Sequence, residues 1–188
     1  MKPTAFSTRM GVELPLMLAP MAGGPSTPAL AVAVCEAGGL GSLGGQYLPP
    51  DKLRAQIREV RAGTSRPFAV NLFADDGVET GPQLVAAASR SLQRYWDELG
   101  LKAPEGVPRA IQLAESFAVL LEERVAAFSF TFGIPPTSML QACRERGIAT
   151  IGTATCVAEA VELQQSGVDF ICAQGAEAGG HRGTFDRD

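Results

Sequence analysis

The sequence predicts an α/β protein with parallel strands covered by helices, and two observations predict it. Short apolar runs alternate with helix-length segments along the chain, and the runs are apolar at consecutive positions rather than at every second one. Strands buried on both faces read that way. Regular strand–helix–strand alternation means βαβ units joined by right-handed crossovers.

Leu16–Ala19 is the first predicted strand, followed by a helix over Thr27–Ala37 that stops at Gly38-Gly39. Leu40–Leu43 is the second strand. The next helix, Pro50–Ala62, opens at a Pro-Pro pair, carries Asp51 in its first turn and has Gly63 just past its end. Phe68–Phe73 is the third strand. Gly81–Glu123 holds more than one helix, broken around Gly100–Pro108, so residues 81–108 read as an extra helix or lid. Val125–Phe130 is the fourth strand, with a helix over Pro136–Arg146 stopped by Gly147. Ala149–Gly152 is the fifth, with a helix over Cys156–Ser166 stopped by Gly167. Phe170–Ala173 is the sixth.

Such strands can form an open doubly wound sheet or close as a barrel. The unusual residues all sit just after strands: Pro20-Met21-Ala22-Gly23-Gly24, Gly44-Gly45-Gln46, Asn71, Thr131-Phe132-Gly133, Gly152-Thr153-Ala154 and Gln174 through His181. A barrel gathers its functional groups there, so the expected fold is a (β/α)8 barrel of TIM type. Such barrels take eight strands and typically about 250 residues. With six strands legible, residues 1–188 are expected to form a single barrel domain truncated after the sixth strand, its C-terminal part missing.

A hydrophobic fraction of 46%, a charged fraction of 19% and a net charge of −4 describe a soluble globular protein. No Lys/Arg cluster supplies a basic face, which excludes nucleic acid as a partner. No apolar run approaches the roughly 20 residues of a membrane span. The N-terminal residues lack the apolar stretch of a secretory signal, so a cytoplasmic location is expected. Cys35, Cys143, Cys156 and Cys172 form no CxxC pair and read as buried thiols of a reducing compartment. A single histidine, His181, argues against a zinc site, and no metal is expected.

The segment richest in chemistry is Ala173-Gln174-Gly175-Ala176-Glu177-Ala178-Gly179-Gly180-His181-Arg182-Gly183. It follows a strand and sets the lone histidine among glycines. Glycine backbone can approach a ligand closely, and consecutive N–H groups can hold a phosphate. A histidine there can take or give a proton near neutrality. The same letters also describe a turn with a solvated histidine, and Arg182 either neutralises an anion or faces solvent. Pro20-Met21-Ala22 is small enough for a flat ring to lie on its backbone, or is simply a tight βα turn. Asn71 and Gln174 are amides at strand ends. Each either meets the edge of a heteroaromatic ring or bonds a neighbouring loop. A ring-plus-phosphate ligand would use all of these groups. Gly38 to Gly44 does not make a dinucleotide fingerprint, because no helix opens at its third glycine.

Together AGGLGSLGGQYLPPDKL, PFAVNLF, FSFTFGIP, GTATCVAEA and AQGAEAGGHRG resemble the nitronate monooxygenases, formerly called 2-nitropropane dioxygenases. The resemblance runs from about Leu14 to Thr184 and is most specific at GGHRG with its upstream glutamine. It implies a (β/α)8 barrel with non-covalent FMN. Pro20, Met21 and Ala22 would lie beside the flavin, and Asn71 and Gln174 would hydrogen-bond it or its ribityl chain. Gly179 and Gly180 would sit near its phosphate end. His181 would bind the nitro group and remove the α-proton of neutral nitroalkanes, the nitronate then being oxidised with O2 to a carbonyl compound and nitrite. Relatives in the best-known branch often carry His where this chain has Thr131, a departure that bears on substrate contacts or on membership of that branch. The family's remaining phosphate loops follow strands seven and eight, so weak FMN retention is expected. Two alternatives stay open: an NAD(P)H-dependent FMN reductase of quinones or enoyl thioesters, which shares a similar AGGH segment, and an inactive barrel fragment. The sequence also leaves a homo-oligomer open.

Overall fold

A computed structural model describes residues 2–74, 81–103 and 111–185. Within them β1 (Gly41–Gly44), β2 (Phe68–Phe73), β3 (Ala127–Thr131), β4 (Ala149–Ala154) and β5 (Phe170–Ala173) form one sheet in the order β1-β2-β3-β4-β5. All four pairings are parallel. The helices are α1 (Ala5–Met10), α2 (Pro28–Glu36), α3 (Pro50–Gly63), α4 (Pro82–Leu99), α5 (Leu113–Glu122), α6 (Thr137–Glu145) and α7 (Val157–Gln165).

The strand order decides between the two closures. A doubly wound sheet reverses direction at a switch point. Here every strand is added on the same side as the last, which is the winding of a (β/α)8 barrel.

The sequence leads one to expect a first strand at Leu16–Ala19, and the structure reduces it to a bridge. Met17 pairs with Leu40 in parallel, Leu18 N donating to Leu40 O and Leu40 N to Leu16 O, both at 2.9 Å. Pro15 and Pro20 flank this bridge, and neither has an N–H with which to lengthen it. The predicted spans 27–37, 136–146 and 156–166 match α2, α6 and α7 counted from N-cap to C-cap. Helix α1 has no counterpart among the expected elements. Six residues are too few to show periodicity; its mark is a capping box between Thr4 and Ser7, with Gly11 left-handed at its end.

Each face of the sheet is packed for a different reason. Outside, Leu43, Val70, Leu72, Phe128 and Phe130 bury themselves under the helices, against Ile57, Phe117, Leu120 and Leu163 among others. At Gly41 an added Cβ would stand 2.3 Å from Ala31 O, so α2 rests on bare strand backbone. Inside, Ala69, Ala127 and Ala149 join Leu40 and α1's Met10 in one cluster, with Phe6 packed against it. Small residues on three strands leave room for α1, which fills the interior at the N-terminal ends. Phe6 completes that plug by meeting Phe170 edge-on, with ring centroids 5.3 Å apart.

On the outer rim, buried Glu123 receives Arg54, Arg58 and Arg61 of α3 at 2.9–3.1 Å and so ties α3 to the end of α5. Residues 81–103 belong to a compact unit of their own. Its helix α4 is amphipathic, with Leu84, Leu92, Tyr95 and Leu99 at helical spacing, and ends at a left-handed Gly100.

Candidate active site

With α1 seated at one end of the interior, the other end is the place for a site. Along the inward face the alanines give way to Gly44, Asn71, Ser129 and Ile151, paired in one rung across four strands. The next rung holds Phe73 against Thr131. Asn71 is 6% exposed and donates from Nδ2 to Ser129 Oγ at 3.0 Å. Thr131 Oγ1 donates to Thr153 Oγ1 at 3.1 Å. A polar band therefore crosses the top of the sheet.

Pro20–Ala22 lies against this band. A Cβ on Gly44 would fall 2.5 Å from Ala22 N and 2.7 Å from Met21 C, so only glycine lets that backbone rest on the strand end. Ser26, itself buried, holds the loop in shape: its Oγ accepts from Met21 N at 2.8 Å and its N–H donates to Met21 O at 3.3 Å.

The glycine-rich loop after β5 is held by hydrogen bonds. Gln174 spans it, Nε2 donating to His181 O at 3.0 Å while Oε1 accepts from Gly183 N at 2.8 Å. Arg182 Nη2 donates to Thr155 O at 2.8 Å, and Nη1 to Gly175 O at 3.3 Å. The guanidinium is thus a clasp between this loop and the turn after β4. Glu159, fully buried in the first turn of α7, accepts from Thr155 N, Thr155 Oγ1 and Phe185 N at 2.5, 2.8 and 2.6 Å. Gly179 and Gly180 sit on the exposed part of the loop, and a Cβ on either would meet nothing within 4 Å.

Aromatic rings bridge the two halves of the site. Tyr47 meets Phe73 at 5.8 Å between centroids, Phe73 meets Phe132 at 4.8 Å and Phe132 meets His181 at 6.3 Å, each pair edge to face. Phe132 is also left-handed, with φ 66°. A phenylalanine pays for that conformation in strain, and strained residues cluster at working sites.

The structure thus brings Pro20, Met21, Ala22 and Asn71 together around the end of β1, and Gln174 and His181 together on one loop. Phe73 and Phe132 join the two groups. Gly179 and Gly180 stand apart on the exposed bend. Sequence reading names Phe132 only as part of a strand-end triplet and passes over Glu159 and Ser26. A glutamate in a helix's first turn reads as an ordinary dipole partner, and nothing local marks it as buried. Among the described residues no group of three or more His, Cys, Asp or Glu could hold a metal. No described helix is long and apolar enough to cross a membrane.

The model of the nitronate monooxygenase family matches residues 5–188. The chain belongs to the nitronate monooxygenase family. It is 42% identical over 185 residues to a nitronate monooxygenase of Paraburkholderia phytofirmans, covering 95% of this chain and 50% of that protein. It is 40% identical to one of Pseudomonas aeruginosa, covering 96% and 52%. Among solved structures, nitroalkane oxidase from Streptomyces ansochromogenes superposes with a TM-score of 0.85 at 38% identity, over 98% of this chain and 52% of that one. FabK from Thermotoga maritima superposes with a TM-score of 0.71 at 29% identity, over 98% and 48%. The chain therefore spans about half the length of the nitronate monooxygenases it matches.

Proposed function

We propose that this chain carries the flavin-facing part of an active site that oxidises alkyl nitronates or nitroalkanes with O2 to carbonyl compounds and nitrite. The observation that carries the reading is the placement of His181. The lone imidazole stands edge-on to Phe132, which packs on Phe73, two residues along β2 from buried Asn71.

The residues present fit FMN. Gly44 admits a backbone shelf at Met21–Ala22 on which a flat ring can rest, and Asn71 adds an amide beside it. Gly179 and Gly180 leave open space on the loop after β5, where backbone N–H groups suit a phosphate. Pro20, Met21, Ala22, Asn71, Gln174, Gly179 and Gly180 would hold the cofactor. Gln174 already bonds its own loop, and its second N–H and second lone pair are what it would offer. Bound flavin supplies the electron transfer between nitronate and oxygen.

The protein's part is proton transfer and placement. A nitroalkane α-proton is acidic because charge moves onto the nitro oxygens, so a base and a hydrogen-bond donor serve it better than a nucleophile. His181 acts as that base for neutral nitroalkanes and as a nitro-binding donor for nitronates. Thr131 contributes a hydroxyl to the same rim, tied to Thr153. The soluble partner is a small nitro compound, and a cytoplasmic setting suits it.

Anaerobic mixing of FMN-loaded protein with propyl-1-nitronate tests the reading; the expected result is bleaching of the flavin band. His181→Gln should cut turnover of a neutral nitroalkane by roughly 10²–10⁴-fold. Turnover of the preformed nitronate, which has already lost its proton, should fall much less. Equal losses on both would remove the base role. The AGGH segment, Ala178–His181, favours a second reading, a nicotinamide-dependent FMN reductase. Bleaching by NADPH and not by nitronate would select it.

A further inference from the structure

We infer that Glu159 is a positioning residue for His181, fastening the far end of the histidine's loop to the turn that follows β4. The inference rests on the assignment of His181 as the catalytic base. Between Gln174 and Phe185 the loop is mostly exposed, and exposed glycine-rich backbone does not hold an imidazole still by packing. The clasps within it leave one end to be secured. Gln174 ties the loop to itself at His181 and Gly183, and Arg182 ties it to the carbonyl of Thr155. Past Gly183 the polar fastening is the Glu159 carboxylate, beside the Phe185 ring packed against the core. Oε1 accepts from Phe185 N at 2.6 Å, while Oε2 accepts from the N–H and hydroxyl of Thr155 at 2.5 and 2.8 Å. The Thr155 hydroxyl also lies 2.9 Å from that of Thr184.

Each carboxylate oxygen thus serves a different loop. A carboxylate buried in a helix's first turn is costly unless its lone pairs are used, and these are used to join the turn after β4 to the end of the loop after β5. His181 lies four residues from Phe185, and a base must stand within hydrogen-bond reach of its proton. A shift of about 1 Å from a change far from the chemistry costs on the order of a hundredfold.

His181 is the chain's only histidine, so its imidazole C2–H resonance reports the loop directly, with no flavin or substrate present. Wild type, Glu159→Gln and Glu159→Ala are compared by that resonance and by hydrogen exchange at the Phe185 amide. Thr155→Val removes only the hydroxyl contacts and serves if the Glu159 variants do not fold. The expected result is that the resonance moves toward its position in the unfolded chain and that Phe185 exchange speeds up by about tenfold or more, least in Thr155→Val. In FMN-loaded protein kcat for a neutral nitroalkane should fall about tenfold or more, with KM within about twofold. Folded Glu159 variants with an unmoved resonance and unchanged Phe185 exchange overturn the inference. A loosened loop in a protein whose flavin never responds to nitronate leaves the positioning role standing and sinks the nitronate reading instead.

Discussion

The wall from β1 to β3 and the edge strand β5 contribute to one candidate site by different physics. In β1 to β3, Leu43, Val70, Leu72, Phe128 and Phe130 are fully buried under helices, and Asn71 is fixed within that packed wall. In β5, Ile171, Cys172 and Ala173 are exposed, as are Val157 and Val161 on α7. The loop that β5 launches carries His181, and it is kept in place chiefly by the hydrogen bonds of Gln174, Arg182 and Glu159, with Phe185 at its end packed against the core. The difference teaches that rigidity at a site has two sources here. Packing fixes the wall that carries Asn71, and polar clasps are the main hold on the histidine loop.

The thiols give the sharpest test of this contrast. Cys35 and Cys143 are buried, and burial pushes both thiols up, Cys143 to about 12. Against an ordinary thiol at 9.0, a group at about 12 holds roughly a thousandth of the reactive thiolate, before any steric protection. Cys156 and Cys172 are exposed on the β5 side. A disulfide reagent should therefore label Cys156 and Cys172 quickly in the native chain, and all four cysteines only in denaturant. Fast native labelling of Cys143 would break the comparison. Stability should divide along the same line. Phe128→Ala should cost about 3–5 kcal/mol in urea unfolding, because the packed wall cannot collapse around the lost ring. Ile171→Ala, at a position already 38% exposed, should cost about 1 kcal/mol or less.

That same contrast governs how much the sequence could tell. Phe68–Phe73 and Phe170–Ala173 are legible residue for residue, because runs of apolar and small residues bounded by Gly, Pro or polar groups need no knowledge of partners. The helices between them are legible through Thr27, Pro50, Gly147 and Gly167, whose capping chemistry is local. The bridge at Met17 is not, since two flanking prolines set its length more than its apolar character does. Asn71 and His181 stand out as polar letters in apolar or glycine-rich surroundings. Glu159 does not, because its role depends on Phe185, which lies on another loop. Nor does the edge-to-face contact of Phe132 with His181, for a ring contact across 49 positions leaves no periodic trace.

A smaller effect distinguishes the outer rims of the two regions. On the packed side Glu123 is 8% exposed, yet it is roofed by arginines that are themselves 30–65% exposed, so solvent screens the cluster. On the β5 side another acid, Asp169, accepts from Thr150 N and Thr150 Oγ1 at 2.8 and 2.9 Å. Burial works to raise the Glu123 pKa, but the hydrogen bonds from Arg58 and Arg54 and the charges of Arg58 and Arg61 outweigh it and hold it below its ordinary 4.5. A carboxylate depressed in the folded state stabilises that state above its unfolded pKa, and the stabilisation is lost as pH falls through the depressed value. Glu123→Gln should therefore lower stability by about 1 kcal/mol near neutrality, less in high salt. The gap between wild type and variant should close as pH drops below about 4.5. A gap that persists in acid would mean that Glu123 acts by shape and hydrogen bonding alone, as Asp169 can, and the two rims would then differ in composition but not in physics.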